Sequence, residues 1–121
     1  MLAPLLAGAA LWLIGTLVFR LGGPSTLHPP TAARTIPAYL VNFFLAGLVV
    51  RLAFPWLGLP PERWPAAVTL FILPTLVLDA FATAFFPAVF PNLSATAAPT
   101  FGGLMLMSAA GAVVSAWIFT R

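Results

Sequence analysis

FILPTLVLDAFATAFFPAVFPN, residues Phe71–Asn92, is apolar enough to cross a bilayer, yet it contains a proline and an acid. Asp79 is the only acid in any apolar run of the chain; the other, Glu62, sits in a short polar turn. A carboxylate at membrane depth costs roughly 2.5–3.5 kcal/mol on insertion scales. Something must offset that cost, so Asp79 is the first place to look for a function.

Outside this stretch the composition points the same way. Hydrophobic residues make up 62% of the 121 residues and charged residues 6%, far below the quarter or so that is charged in soluble domains. At about 20 apolar residues per crossing helix, the length accommodates four spans in a single domain, 1–121, and almost nothing else. We expect an all-α, polytopic membrane protein, an up-down-up-down bundle with spans at about 2–20, 37–55, 65–86 and 100–119. There are no cysteines, which removes disulfides and thiol chemistry. One histidine and two acids make an all-protein metal site an unpromising expectation, and no cofactor is expected. The five basic residues are scattered arginines with no basic run, so a nucleic-acid partner is not expected.

The first span closes at Arg20, with Thr16 one turn before it, and lacks the basic leader of a signal peptide; it reads as uncleaved. Residues 21–36, rich in glycine and proline, read as a loop holding His28 and Arg34. The second span opens at Pro37, a residue suited to a helix start, and carries Asn42 and, near its far end, Arg51, placed to snorkel to the interface. Residues 56–64 read as a turn flanked by Trp56 and Trp64. With Trp117 these tryptophans fall at one interface, as an aromatic belt would. In the third span Thr75, Asp79 and Thr83 recur every four residues and form a polar stripe. Pro87 and Pro91 end or kink the helix, and residues 87–99 complete the connection. The fourth span carries small residues at Gly111, Ala112, Ser115 and Ala116, the kind of face that packs helices in lipid. That face is the candidate surface for a homo-oligomer or a larger membrane complex.

Depths along the helices, at about 1.5 Å per residue, gather the polar residues. Measured from the side of loops 21–36 and 87–99, Asp79 lies about 10 Å in, Asn42 about 8 Å, Ser108 about 12 Å, Thr83 about 5 Å and Thr16 about 6 Å. Arg20 is the arginine best placed to bend toward Asp79. The candidate intramembrane site is therefore Asp79, Asn42, Thr83, Ser108, Thr16 and Arg20. A plainer alternative is that these groups are polar glue between helices, since interhelical hydrogen bonds are common in membranes and individually weak.

The segments IGTLVFRLGG (Ile14–Gly23), LDAFATAFFPAVFPN (Leu78–Asn92) and FGGLM (Phe101–Met105) resemble a bacterial family of short four-span integral membrane proteins, classed as a domain of unknown function. The resemblance implies a bacterial inner-membrane protein and brings no activity, ligand or site. Small multidrug exporters are similar in size but carry a glutamate in the first span, where this chain has no acid. The filter motif of fluoride channels is absent.

No nucleophile–base pair or phosphate loop stands out, so an enzyme is not expected. Two functions remain open. The first expectation is a structural or accessory membrane subunit with a polar cluster around Asp79. The alternative is an oligomeric proton- or ion-coupled transporter or channel subunit in which Asp79 titrates.

Overall fold

The computed structural model describes residues 2–22, 31–91, 93 and 95–118. Helix α1 spans Leu2–Gly22, α2 Ala32–Trp56, α3 Trp64–Ala84, the single turn α4 Phe86–Val89, and α5 Ala98–Ile118. Short 3₁₀ turns at Pro61–Arg63 and Ala95–Ala97 lead into α3 and α5. No strand occurs among the described residues. Four of the helices are long and apolar enough to cross a membrane, and the outer faces carry exposed Leu13, Phe44 and Phe81. Apolar exposure on that scale suits lipid rather than water.

Two of the boundaries that differ from the sequence expectation involve a proline. Helix α2 begins at Ala32, not at Pro37. Thr31 stands before it in extended backbone, and its N–H donates to Thr35 Oγ1 at 3.1 Å. Pro37 then sits in the second turn, where its fixed φ fits the helix and only the Ala33 carbonyl loses a partner. At the other end, α3 stops at Ala84 and Phe85 leaves helical geometry (φ −111°, ψ 39°). Pro87 lies two residues beyond and enters the first turn of α4, where a missing N–H costs nothing. Pro74, by contrast, is carried inside a continuous α3. His28 and Asn92 lie outside the described residues.

The turn after α2 is closed by Gly58 at φ +76°, in the left-handed region that glycine enters without penalty. Leu59 N–H donates to the Phe54 carbonyl at 3.0 Å and Gly58 N–H to the Pro55 carbonyl at 3.0 Å. Two carbonyls orphaned at the helix end are thereby satisfied.

Packing does not follow chain order. The main contacts join α1 to α3, α3 to α5 and α5 to α2, whereas α1 and α2 hardly touch. Each parallel pair is brought together by a glycine. A Cβ on Gly8 would strike the Phe71 carbonyl, and one on Gly111 would strike the Phe43 carbonyl. Backbones can approach this closely only where no side chain intervenes. Ser115 Oγ donates to the Gly47 carbonyl at 2.8 Å, bonding α5 to α2.

Gly111, Ala112, Ser115 and Ala116, the small-residue face of α5, are buried within one chain. Trp64 departs from the expected belt. It is 3% exposed, packs edge-on against Phe54, and its indole N–H donates to the Leu59 carbonyl at 3.0 Å. It belongs to the core, while Trp56 and Trp117 stay exposed as belt residues would.

Candidate intramembrane site

Because α1 and α2 diverge, a cavity of about 240 Å³ opens between them, floored by α3 and α5. Its ends are closed by two hydrophobic clusters. At one end Phe19 meets Phe90 and Phe101 edge to face, at ring distances of 6.4 and 6.0 Å, with Phe86 behind them. At the other end Phe71 and Ala112 belong to the cluster built on Val50, Phe54 and Trp64. The remaining opening lies between α1 and α2, beside Leu11 and Leu45, which are 40% and 53% exposed.

Asp79 lines this cavity from α3 and is 8% exposed. Its Oδ1 accepts a hydrogen bond of 2.7 Å from Trp12 Nε1 on α1. Trp12 is the residue that sequence reasoning missed. A tryptophan ten residues from either end of α1 cannot serve an interfacial belt, and its N–H needs a partner as surely as a buried acid does. That was the available signal.

Opposite Asp79, Asn42 and Ser108 sit ten residues into α2 and α5 respectively. Asn42 Nδ2 donates to the Leu104 carbonyl at 2.7 Å and also to Ser108 Oγ, while the Ser108 hydroxyl donates to the same Leu104 carbonyl at 3.0 Å. The two donors of the amide and the hydroxyl proton are thus used in one closed network. Thr16 lines the cavity from α1, and Thr75 from α3, its hydroxyl donating to the Ile72 carbonyl at 2.6 Å.

Four of the six expected residues, Asp79, Asn42, Ser108 and Thr16, therefore share one cavity. Two do not. Thr83 is exposed and lies in a shallow groove on the other side of Asp79, near Gly102. Successive steps of four residues advance the helix by about 40° each beyond a full turn, so Thr83 stands about 80° from Thr75. Arg20 is exposed on α1, two turns beyond Trp12, and does not line the cavity. Among the described residues no cluster of His, Cys, Asp or Glu is arranged to hold a metal ion.

Four long apolar helices around a mostly apolar cavity that holds one acid define a small multi-pass membrane protein. Residues 31–121 match the model of DUF5367, a family of unknown function, and the chain belongs to that family. The matched residues include Asp79, Asn42 and Ser108, while Trp12 and Thr16 precede them. No curated protein and no solved structure matches the chain.

Proposed function

We propose that this protein is a subunit of a small proton- or ion-coupled carrier or channel in the bacterial inner membrane, with Asp79 as the group that takes up and releases the ion. The observation that carries this reading is the position of Asp79. It lines a membrane-depth cavity while being buried at the α1–α3 contact, where Trp12 holds it. Intramembrane acids on such surfaces are associated with ion and proton pathways. Four spans enclose little space alone, so the working unit is taken to be an oligomer, and crosslinking in native membranes should give a ladder of discrete species.

An accessory or structural role is the second reading. It is favoured by the Asn42–Ser108–Leu104 network, whose donors are used within the chain and which fixes α2 on α5. The two readings separate at Asp79. Asn preserves the shape and the hydrogen bond from Trp12, so a carrier with Asp79→Asn should keep its abundance and lose any pH-linked growth phenotype. If Asp79 is structural only, Asp79→Asn should be silent and Asp79→Leu should lower abundance. A silent Asp79→Asn in a strain whose growth depends on the protein would remove the carrier.

A further inference from the structure

The cavity has a chemical character of its own. Its walls are largely apolar and aromatic, with Trp12, Phe19, Phe71 and Phe101 around Asp79. Among the described residues that line it, Asp79 alone is ionisable, so no basic side chain there competes for the carboxylate. An acid in an apolar-walled site attracts a cation through its carboxylate, and any aromatic ring of the wall that presents its face adds to that attraction. A hydrated inorganic ion would gain nothing from the apolar remainder of the wall. A cavity of 150 Å³ holds benzene, so about 240 Å³ suits a single ring or short chain bearing a compact head group. The opening beside Leu11 and Leu45 lies at mid-helix and faces lipid, where a lipophilic molecule is already concentrated.

We propose that this cavity binds a small lipophilic organic cation, an amine or quaternary ammonium with one ring or a short apolar chain, which enters from the bilayer between α1 and α2 and places its charge on Asp79. This rests on the reading of Asp79 as the ion-binding group and names what that ion is.

The probe is benzyltrimethylammonium, with neopentylbenzene, in which carbon replaces the nitrogen, as its neutral counterpart. Binding to the purified full-length protein in lipid nanodiscs is measured by equilibrium dialysis. Two variants accompany the wild type. Asp79→Asn removes the charge and keeps the shape. Gly15→Leu fills the cavity, and it should fold because a Cβ at Gly15 meets nothing within 4 Å. The expected result is saturable binding of the cation, weaker by roughly tenfold or more in Asp79→Asn and lost in Gly15→Leu, with the neutral compound bound more weakly than the cation by wild type. Absence of saturable cation binding by the wild type would overturn the proposal, as would equal affinity in either variant. If cation binding fails while Asp79→Asn still removes a pH-linked phenotype, the ligand class falls and the carrier reading stands. If binding behaves as expected while Asp79→Asn leaves that phenotype intact, the carrier reading falls and the binding site stands.

Discussion

Trp12 on α1 and Asp79 on α3 are joined by a 2.7 Å hydrogen bond that crosses between two helices midway along the first. The bond places an acid beside an open cavity and holds it there from a second span. Trp12→Phe removes the donor and leaves the acceptor buried, which should cost about 1–2 kcal/mol in a lipid environment. In a double-mutant cycle with Asp79→Leu, the second substitution should cost less when the first is present. Reversible unfolding in mixed micelles gives the four free energies; strict additivity would show that the two side chains do not interact.

The glycines separate into two kinds. Gly8→Ala and Gly111→Ala place a methyl group against a facing backbone carbonyl, and overpacking of this sort costs about 1–3 kcal/mol. Gly15→Ala points into open space and should be neutral or slightly stabilising, because alanine favours the helix by about 1 kcal/mol. Thermal unfolding of the three variants should rank Gly15→Ala well above the other two. Equal losses at all three positions would contradict the packing described.

The spans were legible because apolar run length alone specifies them, and Asp79 because an acid in such a run has no other explanation. The start of α2 was not. Pro37 reads as a helix start from either side, and the choice moved Asn42 from about 8 Å to about 15 Å from its helix end at 1.5 Å per residue. Trp12 was counted with the apolar residues, although its indole nitrogen is a donor. Nor does the sequence say that α1 lies on α3 and α2 on α5, and the cavity exists because of that order. The stripe from Thr75 to Thr83 was real, but its drift around the helix carried Thr83 to the outside.

Asn42 and Ser108 act as a clamp between α2 and α5. Asn42→Leu removes both side-chain bonds that join α2 to α5 here and leaves the Leu104 carbonyl to donors of its own helix, and should cost no more than about 1–2 kcal/mol by the scale of interhelical bonds in membranes. Ser108→Ala should cost less, since Asn42 retains the Leu104 carbonyl. Unfolding free energies of the two variants check the order; a larger loss in Ser108→Ala would contradict it.

Thr100, 1% exposed at the start of α5, has a buried hydroxyl with no hydrogen-bond partner among the described residues. An unmade hydrogen bond of this kind costs about 1–3 kcal/mol. Thr100→Val keeps the shape and removes the cost, so the unfolding midpoint should stay level or rise. A clear fall would mean that the hydroxyl is satisfied.

Asp79 as an ion-binding group is open to a flux test in proteoliposomes containing the purified protein, loaded with a pH-sensitive dye and subjected to an imposed pH gradient in the presence of benzyltrimethylammonium. Wild-type protein should accelerate dissipation of the gradient, and Asp79→Asn, reconstituted at equal density, should not. Dissipation by Asp79→Asn at the wild-type rate would contradict it.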